Sequence, residues 1–148
     1  MKKIVLSVVL FISASFSFGQ CAYLGTPLTQ AGSTVSFCID NTNTQSVTLV
    51  NSGQYVLVNV ISGFNYTFSV GDVFAGSNEN LTLLNASTNS NVAPSAFNSA
   101  AAGASITWTS TLSGQIKVLL SSGSCVNNNT AGGAISCKLN AVDRKSVV

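Results

Sequence analysis

The stretch Tyr55-Val56-Leu57-Val58-Asn59-Val60-Ile61-Ser62-Gly63-Phe64-Asn65-Tyr66-Thr67-Phe68-Ser69-Val70 decides the fold class. On either side of Ser62-Gly63 a large apolar residue returns at every second position: Val56, Val58 and Val60 before it, Tyr66, Phe68 and Val70 after it. A period of two buries one face of an extended strand, whereas a helix needs a period near 3.6. Gly63 accepts the positive φ that a tight reversal requires, so the two runs are expected to close a β-hairpin. The same pattern returns downstream, where Ser113-Gly114 separates Ile106-x-Trp108 from Ile116-x-Val118-x-Leu120. A second hairpin is expected there, with Trp108 in the core.

Working outward, the period-two signal predicts about eight strands, near 34–39, 46–50, 55–61, 65–70, 80–84, 105–110, 115–120 and 134–139. Short strands at this spacing point to an all-β, antiparallel β-sandwich on a jelly-roll or Greek-key path. Residues 88–103, rich in Asn, Ser and Ala and including Pro94, follow neither period. They read as a long surface loop with a short helix possible at 94–102, and long loops on sandwiches often carry binding. The whole chain of 148 residues fits one core.

The amino end reads as an address. Lys2 and Lys3 precede an apolar run, and Ser17-Phe18-Gly19 is a small-x-small cleavage site, so 1–19 is expected to be a cleaved signal peptide and the mature chain to start at Gln20. A membrane anchor would need about 20 predominantly apolar residues, and Ser13, Ser15 and Ser17 interrupt this run. Lipidation at Cys21 is disfavoured, since Gln20 stands where a small residue is wanted and Phe18 where Leu is usual. The chain is therefore expected to be secreted or displayed on the cell surface, with no membrane span after cleavage.

The carboxyl end changes texture. Residues Asp143-Arg144-Lys145-Ser146-Val147-Val148 break with the Asn/Ser/Thr/Gly/Ala composition before them. They are also the translation of GATCGGAAGAGCGTCGTG, a widely used sequencing adapter that continues into an in-frame stop. Residues 143–148 are accordingly read as a library scar, with a disordered hydrophilic tail as the alternative, and 20–142 as the sandwich domain. On that reading the natural chain continues past Val142, and downstream domains are lost by truncation.

Charge narrows the partners. Without Lys2, Lys3 and the tail, Asp40, Asp72 and Glu79 stand against Lys117 and Lys138. No basic face exists to neutralise phosphates, so nucleic acid and anionic membrane surfaces are poor partners. The chain has no histidine, which removes the commonest general base and the Ser-His-Asp and Cys-His arrangements. Asp72 and Glu79 are the carboxylates that a glycosidase pair or a calcium site would have to use. Ordinary solvated loop carboxylates are the favoured reading, so no catalytic residue, metal or cofactor is assigned and the chain is not expected to be an enzyme.

Four cysteines, Cys21, Cys38, Cys125 and Cys137, suit a disulfide framework in an oxidising compartment. Asn127-Asn128-Asn129 and Gly132-Gly133 supply a flexible reversal between Cys125 and Cys137, which favours that pair and leaves Cys21 with Cys38. Closing such a loop contributes on the order of 3 kcal/mol in the chain-entropy model. The tight CxxC spacings of a structural zinc site are absent. Tyr55, Tyr66, Phe68 and Trp108 lie at positions compatible with the core, where sandwiches place aromatic rings. Tyr55 and Trp108 are the rings that a sugar would stack on if they were exposed.

A resemblance adds to this reading. The order Gly53-Gln54-Tyr55-Val56-x-Val58-x-Val60-x-x-Gly63-x-x-Tyr66-Thr67-Phe68-Ser69, then Asn80-Leu81-Thr82-Leu83, Ser105-Ile106-Thr107-Trp108-Thr109, Ser113-Gly114-Gln115-Ile116-x-Val118-Leu119-Leu120, and finally Cys125 and Cys137, resembles secreted Bacteroidetes modules that are similar to bacterial pre-peptidase carboxy-terminal domains. The resemblance runs from about Gly53 to Leu139. It implies a β-sandwich appended to secreted proteases, glycan-active enzymes or adhesins, without catalysis of its own, and export by the type IX system. Asn85-Ala86-Ser87 stands where such modules often carry acidic residues, which weakens any calcium role. The function expected is a non-catalytic extracellular accessory or adhesion module that meets a glycan or protein surface. The alternative is a carbohydrate-binding module using exposed aromatics and Asn/Ser-rich loops, with Tyr55, Trp108, Asp72 and Glu79 as tentative contacts.

Overall fold

Alternating apolar residues become strands at the expected places. The computed structural model describes residues 29–31, 36–37, 42–92, 97–123 and 132–140, so the expected signal segment 1–19 and the residues 143–148 read as a scar or tail lie outside it. The described strands are β1 (Thr29–Gln30), β2 (Ser36–Phe37), β3 (Gln45–Val50), β4 (Gln54–Val60), β5 (Asn65–Val70), β6 (Glu79–Asn85), β7 (Phe97–Ala100), β8 (Ala104–Thr109), β9 (Gly114–Ser122) and β10 (Gly133–Leu139). Among the described residues there is no helix.

The strands form two sheets. Sheet A runs β1-β4-β9-β6-β7, with β2 also on β4, and sheet B runs β3-β10-β5-β8. The short β1 and β2 lie parallel to β4, and all other pairs are antiparallel. The pairs β3 with β10, β4 with β9, β5 with β8 and β6 with β7 are the rungs of one long hairpin. That hairpin is rolled over so that successive strands mostly change sheet.

Both expected hairpins are therefore corners between sheets. β4 belongs to sheet A and β5 to sheet B, and β8 belongs to sheet B and β9 to sheet A. The glycines do take positive φ, 86° at Gly63 and 141° at Gly114, but a reversal of that kind serves a corner as well as a hairpin. Period two fixes which residues face inward and leaves the partner strand open. The two corners lock each other: Gly63 N–H donates to the Ser110 carbonyl at 2.7 Å, Ser110 N–H to the Phe64 carbonyl at 2.9 Å, and Ser62 N–H to Ser113 Oγ at 3.0 Å.

The possible helix at 94–102 is not formed where the chain is described. Phe97–Ala100 is instead an edge strand on β6, with Thr82 opposite Phe97 and Glu79 opposite Ala100. The edge of β6 offers a row of unpaired backbone groups, and a run of small polar residues can take them up without any periodic pattern.

One core lies between the sheets. Val56, Val58, Val60, Leu81, Leu83, Ile116, Val118 and Leu120 enter it from sheet A, and Tyr66, Phe68, Ile106, Trp108, Ile135 and Cys137 from sheet B. β8 illustrates the rule, with Ala104, Ile106 and Trp108 buried and Ser105, Thr107 and Thr109 exposed. Among the described residues no helix is long and apolar enough to cross a membrane.

Candidate functional site

The two carboxylates occupy unlike environments. Asp72 is exposed on the connection from β5 to β6, as expected of a loop carboxylate. Glu79 is the first residue of β6 and is fully buried, contrary to the solvated reading. Its Oε1 accepts the amides of Val73 and Phe74, both at 2.9 Å, and its Oε2 accepts the amide of Gly103 at 3.0 Å. The β5–β6 connection curls back through Ser77 N–H donating to the Phe74 carbonyl, which aims two amides at one oxygen. Gly103, at φ 99°, approaches so closely that a Cβ there would stand 2.6 Å from the Val70 carbonyl oxygen.

Burial alone would raise the Glu79 pKa. The amides of Phe74, Val73 and Gly103 outweigh it and hold the carboxyl below its ordinary value. A carboxylate held ionised by three fixed donors is a brace between two connections and a poor proton carrier. Nothing in the local sequence around Glu79 signals this, because the donors are backbone groups from two separate turns.

Cys137 is buried on β10 as a free thiol. Cys125, its expected partner, lies outside the described residues, as do Cys21 and Cys38. Burial pushes the Cys137 thiol far above the ordinary range, so little reactive thiolate forms near neutral pH. In native protein Cys137 is expected to resist iodoacetamide, and in denaturant without reductant to be labelled, as read by peptide mapping. A failure to label the denatured chain until it is reduced would mean that a disulfide holds Cys137.

The tentative aromatic contacts separate. Trp108 is 4% exposed and faces the core. Tyr55 is half-buried on the outer face of sheet A, opposite Leu119, which corrects its placement in the core. Lys117 Nζ stands 4.8 Å from the Tyr55 ring centroid and donates to Asn89 Oδ1 at 2.6 Å. Two residues along β9, Gln115 lines an open cleft of about 410 Å³ with Asn85, Ala86, Ser87, Leu112, Ser113 and Gly114. The other end of this face is closed, since Asn80, Thr82, Leu84, Leu119 and Ser121 are all buried.

The outer face of sheet B is of another kind. Register aligns Ser136, Ser69 and Ser105 in one row and Lys138, Thr67 and Thr107 in the next, with Asn65 and Thr109 opposite each other beyond them. The side chains bond across strands. Thr67 and Thr107 hydroxyls meet at 3.0 Å, Asn65 Nδ2 donates to Thr109 Oγ1 at 2.8 Å, and the Ser46 and Ser136 hydroxyls meet at 2.8 Å. Asn140 Nδ2 donates to Thr67 Oγ1 at 3.0 Å and also to Asn65 Oδ1. The result is a sheet face of fixed hydroxyls and amides with Lys138 as the charged residue in these rows. Sequence reasoning missed it, although the signal was present in the polar positions of Asn65-x-Thr67-x-Ser69 and Ser105-x-Thr107-x-Thr109.

Among the described residues no group of three or more His, Cys, Asp or Glu side chains is placed to hold a metal ion. A family model described as a domain of unknown function (DUF8695) matches residues 42–144, which takes in β3 through β10. Searches of curated proteins and of solved structures return no match.

Proposed function

The chain belongs to the DUF8695 family, and we propose that it is a non-catalytic extracellular accessory or adhesion module, a jelly roll that meets a neutral, polar surface through the outer face of sheet B. The observation that carries this reading is the cross-bonded array of Asn65, Thr67, Thr107, Thr109 and Asn140. The Thr107 and Thr109 hydroxyls keep capacity for a further hydrogen bond, and their rotamers are already restrained by Thr67 and Asn65. Less conformational freedom is then lost on binding. A face with so little charge favours neutral partners such as glycans over ionic ones. The rolled-hairpin pairing of β3 to β10 supports the jelly-roll assignment. The leader pattern in 1–19 and the resemblance to pre-peptidase carboxy-terminal modules support export to the cell surface or beyond.

A second reading is favoured by Tyr55. Its half-buried ring lies on the outer face of sheet A, four residues along the β9 register from the Gln115 that lines the cleft, and a carbohydrate-binding module would place a stacking platform on such a face. Lys117 sits over that ring, so a sugar stacking on the same side would have to displace it.

Pelleting with insoluble cellulose, chitin and bacterial cell wall tests both. The mature chain is expected to be retained by at least one neutral polysaccharide, nearly unchanged between about 0.05 and 1 M salt. Thr67→Lys, which sets a second cation beside Lys138, is expected to lower retention about tenfold, equivalent to about 1.4 kcal/mol. Tyr55→Ala is expected to leave it unchanged. Loss of retention in Tyr55→Ala with Thr67→Lys intact would transfer the function to sheet A, and retention that vanishes at high salt would overturn the neutral-surface reading.

A further inference from the structure

An edge strand offers unpaired backbone groups to other chains unless something blunts it. Among the described residues three of the four sheet edges carry such a device. The edge of β4 is covered by β1 and β2, β7 is only four residues long, and β3 meets β10 through a register irregularity between Gly133 and Ile135.

β8 is the exception. It keeps unbroken register with β5 from Ala104 to Thr109, contains no charge and no proline, and has no further strand on its other side among the described residues. The bond from Ser110 N–H to the Phe64 carbonyl sets the phase of the ladder. Even-numbered residues of β8 exchange hydrogen bonds with β5, and the N–H and C=O groups of Thr107 and Thr109 point away from the sheet.

We propose that β8 pairs antiparallel with β8 of a second copy of this chain, joining two four-stranded sheets B into one. The strand is self-complementary. A two-fold axis at Trp108 sets Thr107 of each copy opposite Thr109 of the other, which gives about four backbone hydrogen bonds. Exposed Thr107 and Thr109 then lie together on the outer face, Ile106 and Trp108 stay inward, and no like charges oppose each other. A charged partner strand finds no complementary charge on this edge, whereas an identical strand matches it in length and alternation. The inference stands independently of what the outer face of sheet B binds.

Sedimentation velocity of the mature chain from about 1 to 500 μM tests it across the range where a weak dimer forms. A concentration-dependent dimer is expected. Thr107→Pro removes an N–H that β5 does not use together with the Thr67–Thr107 hydroxyl contact, so it is expected to be monomeric with an unfolding midpoint only slightly lowered. Thr107→Lys with Thr109→Lys opposes like charges and is expected to weaken the dimer at least about tenfold, while Thr107→Lys with Thr109→Asp sets opposite charges face to face and is expected to restore it. The charge pair keeps the test decisive should the proline variant fail to fold. A monomer throughout the range, or a dimer that neither Thr107→Pro nor the charge pair alters, would overturn the proposal.

Discussion

Replacing Glu79 with Ala is expected to cost about 3–5 kcal/mol, enough to unfold a domain of ordinary stability at moderate temperature. The carboxylate is fully buried and accepts the amides of Val73, Phe74 and Gly103. Truncation leaves three donors facing a void, and each buried donor without an acceptor costs about 1–3 kcal/mol. Some of that is recovered if water enters. Glu79→Gln retains one carbonyl oxygen and turns an NH2 group toward one set of amides, so about 2–3 kcal/mol is expected. Urea titration of both variants measures the difference directly.

The same carboxylate sets the acid limit. Its pKa is lower in the folded chain than in the unfolded chain, so the unfolded state binds the proton more readily. The stability it contributes is fully present above the unfolded carboxylate value, near pH 4.3, and is lost as pH falls through the lower folded value. The wild-type midpoint is expected to be level near neutrality and to fall below about pH 4.5. In Glu79→Gln that part of the acid slope should disappear. A slope equal to wild type would mean that Glu79 does not set the acid limit.

Trp108→Ala is expected to lose about 3–5 kcal/mol while leaving ligand retention per folded molecule unchanged. The indole is 4% exposed and belongs to the core cluster with Phe68 and Ile106, so the substitution opens a large cavity where the sheets face each other. Its Nε1 has no hydrogen-bond partner among the described residues. Trp108→Phe therefore removes an unsatisfied donor along with some volume, and a smaller loss is expected, about 1–2 kcal/mol. A Trp108→Ala protein that folds normally and no longer binds would place the ring in a binding site instead.

The sequence was most legible where side chains alternate. Val56, Val58 and Val60 on β4, and Ile106 and Trp108 on β8, lie in the core where their spacing puts them. Strand pairing was not legible, because Ser62-Gly63 and Ser113-Gly114 are compatible with a hairpin or a corner, and only the opposite sheet distinguishes them. β7 escaped because Phe97–Ala100 is held by the edge of β6 and has no pattern of its own. Tyr55 was assigned to the core although it alternates with Val56 and Val58, and strict period two already placed it on the opposite face. Glu79 was unreadable for a different reason. Its partners are amides from turns 5 to 24 residues away, and no side-chain motif records them. The array on sheet B becomes visible only when register brings Asn65, Thr67, Thr107, Thr109 and Asn140 side by side.

The most direct test of the binding face is amide hydrogen exchange with and without a soluble fragment of whichever polysaccharide retains the chain. Protection is expected along Asn65–Val70, Ala104–Thr109 and Gly133–Leu139, the three strands that carry the array. Protection confined to Tyr55, Lys117 and the cleft around Ser87 and Gln115 would contradict the account and assign binding to sheet A.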